Sequence, residues 1–534
     1  MKLGSSTSNF KTDLPSISRQ IRRHYIDILI ALALVITGGV TSYLGAQLID
    51  PISVNVWDSW FGGDMPRVFA NMTSRWSDHS RLKVHPLFSL IAYPLVIVLE
   101  KAFHLEPIIA VRIVIATVGA LWLGTLFITL RLLGCRRFDA MLFSLLGATS
   151  AAAIFWFTVP ETYSFGSLSI LLALCFVALT ENYRFSSLWH VAVSALTLSV
   201  TITNWMVGIL LTAVNHRWKQ SLQITVNAFA LVTLLWGVEK YIFPSAVFFL
   251  GDREEKKYVE VFKSAGDYLT VVKSFFSNTI VMPAIQLNEH IKQPEWPLMS
   301  PQAADPGSGS IWGFIAVGLW MALLGLGVWG YLSSKKHTKF RLVLGFSLLG
   351  QLLLHLVYGG GETFLFSLHF APLLIILAAF SALTRARPVA LVLAGMLIVS
   401  ASINNGQLFY QAAGYYLNHG TPRNQVQSQI RLRPYDPWTR GTGHVVLATP
   451  GNREEAKAYH EPGGSFSPMV GSFGVSIWLV DAQGNLKATN DSIHLSQIQQ
   501  QVVYTDGEDI PAILTKSNYY QSSSAILNSK RSNR

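Results

Sequence analysis

The run ILIALALVITGGVTSYLGAQLI, residues 28–49, decides the class of this protein because it carries no charged side chain along its whole length. A run of this kind can cross a hydrocarbon layer of about 30 Å as a helix. Similar apolar runs occur at residues 108–133, 138–159, 311–332 and 364–383. The chain of 534 residues is 51% hydrophobic and 13% charged, whereas soluble domains are about 25% charged. We therefore predict a polytopic α-helical membrane protein.

The composition also excludes several other classes. The apolar run after Arg19, Arg22 and Arg23 is longer than that of a cleaved signal peptide, so we expect a retained first helix. The two cysteines, Cys135 and Cys175, lie in or beside apolar runs and offer neither a disulfide framework nor a cysteine metal site. The net charge of +11 is dispersed over short loops, which membrane topology explains better than nucleic-acid binding.

The basic loops predict the topology, because basic residues favour the cytoplasmic side. Placing every basic cluster inside gives about eleven spans, with the amino terminus inside and the carboxyl terminus outside. Residues 86–103, shortened by two prolines, then form a juxtamembrane helix, and residues 188–214 cross twice with a break at TITNW, residues 201–205. The clusters are Arg19/Arg22/Arg23, Arg131/Arg136/Arg137, Arg184, His216/Arg217/Lys219, Lys335/Lys336/Lys339/Arg341 and Arg385/Arg387.

The predicted domain organisation follows from these spans and from a change in sequence character near residue 409. Short β-rich runs such as HVVLA at 444–448 and FGVSIWLV at 473–480 indicate a small extracytoplasmic β or α+β domain. The predicted parts are a cytoplasmic segment at 1–24, a transmembrane domain at 25–408 with outer loops at about 50–107 and 250–310, the β-containing domain at 409–516, and a disordered tail at 517–534.

Charge is concentrated in the first outer loop, in WDSWFGGDMPRVFANMTSRWSDHSRLKVHPLFSL, residues 57–90. Asp64 and Arg67 stand three residues apart, so on a helix they share a face. A carboxylate at the rim of a wet cavity can act as general base towards a hydroxyl group. A solvated loop with a salt bridge is the alternative.

Further polar residues are predicted at the same membrane surface. In RLKVHPLF, residues 81–88, Arg81, Lys83 and His85 bring cationic or donor groups to the depth of lipid phosphates. General anchoring to lipid headgroups explains them equally well. His79 has no second histidine at metal-ligand spacing, so we predict a loop residue.

Ionisable residues also stand at the ends of later spans. Arg112 lies near the start of the second span, Glu161 follows the third, and Glu362 and His369 begin the tenth. Such groups usually face a cavity or a partner. For Glu161, capping of the next helix is an alternative. We expect these side chains to converge on one outer cavity.

The motifs DMPRVF at 64–69 and VHPLF at 84–88 resemble those of the GT-C superfamily of membrane glycosyltransferases, in the branch of the protein O-mannosyltransferases and the lipid A aminoarabinose transferases. Asp64 stands at the catalytic Asp position, Arg67 at the Arg of the acidic motif, and His85 where a phosphate-binding Lys often stands. Arg112 and Glu161 are similar to residues near the second and third spans of the family. The similarity of layout covers residues 1–250.

The resemblance implies a transferase that moves a monosaccharide from a polyprenyl-phosphate donor to a lipid, glycan or protein acceptor on the extracytoplasmic face, with inversion. Asp64 would be the base, and Arg67, His85 and Arg112, with Lys83 or Arg253, would hold the phosphate. Glu161 would contact substrate, and Glu362 and His369 are added as substrate contacts because of their place at the start of the tenth span. Met65 replaces a second acidic residue and Val84 a Glu of some members, so no metal ligand is assigned and the question of a divalent metal stays open.

Two other functions stay open from the sequence. A transporter or flippase of a lipid-linked sugar would need polar residues and broken helices near the bilayer midplane, and only TITNW indicates such a break. A non-catalytic assembly factor would use the β-containing domain for a partner and the helices as an anchor. All three place the chain in the bilayer as a multi-pass protein of the cell inner or plasma membrane.

Overall fold

The computed structural model describes residues 17–50, 60–249, 265–288 and 298–418, together with short strands between residues 444 and 506. Short 3-10 turns at Ser80–Lys83, Ile202–Asn204, Gly360–Phe366 and Phe380–Leu383 connect some of the helices. The helices are α1 (Ile17–Leu48), α2 (Met65–Thr73), α3 (Phe88–Phe103), α4 (Pro107–Leu132), α5 (Arg137–Thr149), α6 (Ala151–Trp156), α7 (Thr162–Thr180), α8 (Ser187–Val200), α9 (Trp205–Asn215), α10 (Trp218–Ile242), α11 (Ala265–Lys273), α12 (Ile311–Ser333), α13 (Thr338–His355), α14 (Ser367–Ala379) and α15 (Arg387–Asn418).

Seven helical segments of the described chain are long and apolar enough to cross a membrane. They are Tyr25–Leu48, Pro107–Leu132, Thr162–Thr180, Trp218–Ile242, Ile311–Ser333, Gly361–Leu383 and Arg387–Tyr415. The segments in α4, in α7 and around α14 are buried over most of their length, whereas α1 is largely exposed. Since an exposed apolar helix surface is stable only in lipid, the chain is a helical protein built for a membrane.

Helix α1 packs on α4 through small residues. A Cβ on Gly38 would lie 3.1 Å from Leu123, and one on Gly124 of α4 would lie 2.6 Å from Val35. Small residues allow the close backbone approach that holds helices together in lipid. The opposite face of α1 leaves Leu32 and Leu44 more than half exposed, as expected for a surface in contact with acyl chains.

Ion pairs gather at one end of the bundle, which we call the basic end. Asp27 at the start of the first span accepts hydrogen bonds from Arg131 and Arg137, each at 2.9 Å. Asp139 accepts two from Arg387, at 2.7 and 2.9 Å. The starts of α5 and α15 and the end of α4 therefore meet at this end, in agreement with the predicted grouping of their arginines.

The third apolar run, residues 138–159, was predicted as one continuous helix, and this was wrong: it is split into α5 and α6 at Ser150. Ser150 has an extended backbone, and its Oγ accepts a hydrogen bond from Ala153 N. The freed backbone donors of Ala151 and Ala152 bond to the carbonyls of Ile280 and Thr279, both at 3.0 Å. Backbone from the second outer loop therefore fills the break, as the low-dielectric interior requires.

The part of that loop which fills the break is buried. It begins with a π-helix, Ser274–Asn278. The Phe275 ring stacks on Phe370 of α14 at 4.1 Å, and Trp320 of α12 donates to the carbonyl of Phe276 at 2.7 Å. Asn405 of α15 bonds to the carbonyls of Thr149 and Ile280. The described residues 274–282 of this loop are thus packed among the helices.

Helices α8 and α9 form an antiparallel hairpin with its turn at 201–204, the position of the predicted break. Trp205 donates to Ser194 Oγ at 3.0 Å near the turn, and the rings of His190 and His216 lie 4.3 Å apart at the other end.

Helix α3 continues through Pro94 and is not among the seven candidate spans. Its side chains Val98 and Phe103 are more than half exposed, consistent with a juxtamembrane position.

The described strands fall in two stretches of the sequence, residues 286–300 and 444–506. β1 (Gln286–Asn288) and β2 (Leu298–Ser300) form an antiparallel pair in the second outer loop. Strands β3 (His444–Ala448), β5 (Val475–Val480), β6 (Leu486–Ala488) and β8 (Val502–Asp506) form a mixed sheet in the order β6-β5-β3-β8, and β4 (Ser465–Phe466) pairs with β7 (Ile493–His494). β3 and β5 fall in the two runs predicted as strands.

Helix α15 extends past residue 408, the predicted end of the membrane domain.

Candidate functional site

Asp64 lies at the start of α2, at the end of the bundle opposite the basic end. It forms an ion pair with Arg67, three residues later on the same helix, as the spacing predicted. The Asp64 side chain keeps 26% of its surface exposed, whereas that of Arg67 keeps 5%. The buried Nε of Arg67 has no hydrogen-bond partner in the part of the chain that the structure describes. The solvent-accessible carboxylate of Asp64 thus lies beside the buried guanidinium of Arg67, whose Nε has no described partner.

Glu161 holds the backbone in front of Asp64. Its Oε1 accepts a hydrogen bond from Asp64 N at 2.6 Å, and its Oε2 accepts one from Thr162 N at 2.8 Å. Glu161 is therefore both a cap of α7 and a support for the loop that carries Asp64. Gly63 allows this approach, because a Cβ there would lie 3.0 Å from the carbonyl oxygen of Trp60 and 3.4 Å from Glu161 Oε1.

The two carboxylates differ in their environment. Glu161 is 1% exposed. Its burial, and next the negative charge of Asp64, raise the pKa of Glu161 from 4.5 to about 7, although Arg67 and two backbone N–H donors act in the opposite direction. Near neutral pH a substantial fraction of Glu161 is therefore uncharged, while Asp64 has a cationic partner and access to solvent.

His85 connects the loop of Asp64 to the α8–α9 turn. Its Nδ1 lies 3.0 Å from the carbonyl oxygen of Val200, and its Nε2 lies 3.3 Å from Thr162 Oγ1. Since a carbonyl only accepts, we assign the proton to Nδ1, and Nε2 then accepts from Thr162. Burial lowers the pKa of His85 well below 6.5, and the positive charges of Arg67 and Arg81 lower it further. The ring is neutral, and both nitrogens are occupied.

The backbone around His85 is bonded to the same turn. Leu87 N donates to the carbonyl of Ser199 at 2.7 Å, and Ile202 N donates to that of Val84 at 3.1 Å. The two sequence features VHPLF and TITNW, identified separately, are therefore in direct contact. No sequence signal linked them, because they are more than one hundred residues apart.

The short helix Ser80–Lys83 supplies further cations. Lys83 is 8% exposed, and the charge of Arg81 acts on His85. Sequence reasoning named Arg81 beside Lys83 but did not select it as a site residue. Its effect on His85 places it within the group around Asp64.

His369 of α14 lies against α7. Its ring centroid is 5.3 Å from that of Tyr163, and its Nε2 would lie 2.6 Å from a Cβ on Gly166. Asn204 of the α8–α9 turn donates to the carbonyl of that glycine at 3.2 Å. Tyr163 and Asn204 were not predicted as site residues, although Tyr163 follows Glu161 by two positions and Asn204 belongs to the predicted break TITNW.

Glu362 faces the glycines before Asp64. Its carboxyl group lies 3.1 Å from the position of a Cβ on Gly62, a residue with a φ of +77°. A side chain at Gly62 would therefore be strained and would collide with Glu362. Gln302 of the second outer loop exchanges hydrogen bonds of 3.1 and 3.2 Å with Thr363. These bonds hold the second outer loop beside the start of α14.

One predicted residue, Arg112, is not joined to this group. Arg112 donates to the carbonyl of Ile49 at 2.7 Å, next to Asp50, and so fastens the end of α1. No contact between Arg112 and Asp64 is seen. Arg253 lies outside the described residues.

His79 has a structural role. It is fully buried and hydrogen bonds to Ser89 Oγ at 2.7 Å, to Ser77 Oγ at 3.1 Å and to the carbonyl of Ser74 at 3.1 Å. Burial lowers the pKa of His79 to about 3. This network ties the end of α2 to the start of α3. A loop histidine was predicted, but its burial was not.

The described residues contain no group of three or more His, Cys, Asp or Glu side chains suited to a metal ion. The chemistry they offer is proton acceptance by Asp64 and anion binding by Arg67 and its basic neighbours. Comparison of the chain with models of protein families found no match, and comparison with curated proteins found none either.

Proposed function

We propose that the protein is an integral membrane glycosyltransferase that moves a monosaccharide from a polyprenyl-phosphate donor to an acceptor hydroxyl on the extracytoplasmic face. The acceptor oxygen attacks the anomeric carbon and its proton passes to Asp64. The bond between that carbon and the phosphate oxygen breaks, and the phosphate leaves with the electron pair, so the configuration inverts. The observation that carries the proposal is the pairing of a reachable Asp64 with a buried Arg67 whose Nε lacks a described partner.

The roles of the two carboxylates follow from their environments. Asp64 has the solvent access that an acceptor needs, and Arg67 holds its carboxylate in place. Glu161 is buried and accepts from the Asp64 backbone, so we assign it to positioning. Two neighbouring carboxyl groups with different surroundings commonly divide roles in this way.

The leaving phosphate gains negative charge as the bond breaks, and cations held in place stabilise that charge. We assign the phosphate to Arg67, Arg81 and Lys83. His85 has both nitrogens occupied and positions Thr162. The proposed phosphate contact of Arg112 has less structural support than those of Arg67, Arg81 and Lys83, because Arg112 contacts the end of α1. Arg253 remains a candidate from the resemblance, with Glu362 and His369 as substrate contacts.

The proposed topology has about eleven spans. The described helices supply seven by length and composition, and α5–α6, α8, α9 and α13 supply the rest. The ion pairs among Asp27, Arg131 and Arg137 support one cytoplasmic end. Asp64 then lies on the extracytoplasmic side of a cell inner or plasma membrane. We propose the same side for a small C-terminal β or α+β domain, which begins after α15 and not at residue 409.

The substitution Asp64→Asn tests the proposed base. Loss of a general base typically lowers turnover by about 10²–10⁴-fold, while donor binding should persist because Arg67 remains. Turnover would be measured with purified protein, polyprenyl-phosphate sugars and cell-envelope acceptors. Asp305→Asn is the matched control, since Asp305 is 82% exposed in the second outer loop. Unchanged glycan product in Asp64→Asn would exclude Asp64 as the base.

The variant Asp64→Asn also distinguishes a transferase from a flippase and from a non-catalytic assembly factor. A flippase would keep moving lipid-linked sugar across vesicle membranes after Asp64→Asn, and it would form no glycosidic bond in either version. The break at Ser150, which such a transporter could use, is filled by backbone of residues 279–280. An assembly factor would show neither transfer nor transport.

A further inference from the structure

Helix α13 carries a polar stripe inside the bundle. Ser347, Gln351 and His355 are spaced by four residues, so they lie on one face. All three are at most 1% exposed. On another face of the same helix, Leu349 and Leu353 are 49% and 53% exposed. The helix therefore turns its polar side chains inward and its leucines outward.

These buried side chains are poorly satisfied. Within the described residues, Ser347 Oγ and both polar atoms of Gln351 have no hydrogen-bond partner. For the ring of His355 there is only an interaction with the backbone of Tyr358, and neither ring nitrogen has a hydrogen bond of normal geometry. The helices packed against α13 add three more such atoms: Ser367 Oγ and His369 Nε2 on α14 and Asn204 Oδ1 beside α9.

A buried polar atom without a partner has lost its hydrogen bonds to water and gained none in the protein, which destabilises the closed state. A folded protein has only a few such atoms per hundred residues, and a cluster of them calls for an occupant or a second conformation. None of these side chains is permanently charged, and 342–361 contains no Asp, Glu, Lys or Arg. The matching occupant is therefore water, and not an ion.

We propose that the polar face of α13 lines a crevice that water enters when α13 moves away from α9 and α14. The structure shows the crevice closed, since its polar atoms have almost no accessible surface. Gly350 permits the closure, because a Cβ there would lie 2.1 Å from Met206 Sδ of α9. At one end, the ring of Phe366 stacks on His355 at 4.8 Å.

The crevice reaches the candidate site. Phe366 lies 5.3 Å from the ring of Tyr163, and Tyr163 lies 5.3 Å from that of His369. Tyr163 in turn lies 6.2 Å from the ring of His85. Opening of α13 would therefore hydrate a path from the surroundings of Asp64 into the bundle. The inference needs no substrate and does not depend on the proposed transferase activity.

Cysteine labelling tests the crevice in the full chain. In a Cys135→Ala/Cys175→Ala background, Ser347→Cys and Gln351→Cys would be treated with a charged, water-soluble thiol reagent, which reacts with the thiolate formed in water. Leu349→Cys, on the lipid-exposed face, and Leu374→Cys, in the apolar interior of α14, are the controls. We expect Ser347→Cys and Gln351→Cys to react at least about tenfold faster than both controls. Rates equal to that of Leu374→Cys would overturn the proposal.

A second variant tests the opening itself. Gln351→Leu removes two unpartnered atoms from the closed state and should shift the equilibrium towards it. Labelling of Ser347→Cys should then slow by about tenfold, while the rate at Leu349→Cys stays the same. Leu348→Ala, at a neighbouring apolar position, controls for a general change in packing. An unchanged rate at Ser347→Cys would contradict a hydrated open state.

Discussion

At the basic end of the bundle, Asp139 accepts two hydrogen bonds from Arg387, whereas at the opposite end Arg67 pairs with Asp64 and keeps its buried Nε without a described partner. Both ends place arginines beside carboxylates. In these carboxylate pairs they differ in how completely the arginine donors are satisfied; at the basic end a buried Nε without a described partner occurs at Arg341, which forms no described carboxylate pair.

This difference separates the basic end, which anchors helix ends, from the end at Asp64, for which we propose the transfer reaction. Asp27 bridges two arginines from neighbouring helix ends, which fixes those ends and leaves little capacity for a ligand. Around Asp64, burial instead holds His85 neutral and raises the pKa of Glu161 to about 7. Unsatisfied donors and shifted pKa values are commonly found at functional sites.

The largest contrast is expected from replacing arginine by lysine at each end. Arg67→Lys should lower transferase turnover by about 10²-fold or more, because lysine lacks the planar fork that holds Asp64 and the phosphate. Arg387→Lys should leave turnover within about threefold, since it affects only anchoring. Steady-state rates with polyprenyl-phosphate sugar would be compared. Equal losses in both variants would remove the distinction between the ends.

Glu161 should make the free energy of unfolding depend on pH. The folded chain holds the Glu161 proton more tightly than the unfolded chain, because its pKa is raised from 4.5 to about 7. The resulting stabilisation is complete below pH 4.5 and is lost as the pH rises through about 7, by up to about 3 kcal/mol. In Glu161→Gln this dependence should disappear, as measured by thermal unfolding in detergent from pH 5 to 8. If the unfolding temperature of the wild-type protein depends on pH in the same way as that of Glu161→Gln, the pKa of Glu161 is not raised.

Gly166→Ala should destabilise the site by about 2 kcal/mol, since the new methyl group would lie 2.6 Å from His369 Nε2. The control is Gly318→Ala in α12, where nothing lies within 4 Å of the added Cβ. There alanine should stabilise the helix by about 0.5 kcal/mol. Unfolding midpoints would be measured for both. A neutral Gly166→Ala would mean that His369 does not pack against α7.

The smallest effect is expected at the basic end. Asp27→Ala removes the partner of Arg131 and Arg137 and should lower the free energy of unfolding by about 1 kcal/mol, because the pairs are partly exposed. Its effect should fade in high salt. Asp305→Ala, which removes an exposed pair with Lys273, should have no measurable effect. A salt-independent loss in Asp27→Ala would indicate a packing role instead.

Much of this architecture follows from local patterns. Apolar runs predicted the helices in lipid, and the need to keep Arg217 and Lys219 on the cytoplasmic side predicted the turn between α8 and α9 at TITNW. The spacing of Asp64 and Arg67 was enough to predict their pairing. Each of these features depends on neighbours within a few residues.

The features that sequence reasoning missed depend on distant partners. The break at Ser150 exists because residues 279–280 and Asn405 take over the backbone bonds there, and nothing near Ser150 encodes those contacts. Burial of His79 likewise requires Ser89 and Phe243. Whether Glu161 caps a helix or faces a cavity was left open. Its Oε2 caps α7, and its Oε1 accepts from Asp64 N, a contact that was not predicted.

The most direct test of the central claim is a structure with a polyprenyl-phosphate sugar bound. The proposal predicts the phosphate within about 3 Å of Arg67 and the anomeric carbon facing Asp64, with space between them for one acceptor hydroxyl. A phosphate bound beyond the reach of Arg67, Arg81 and Lys83, with Asp64 facing no part of the sugar, would contradict it.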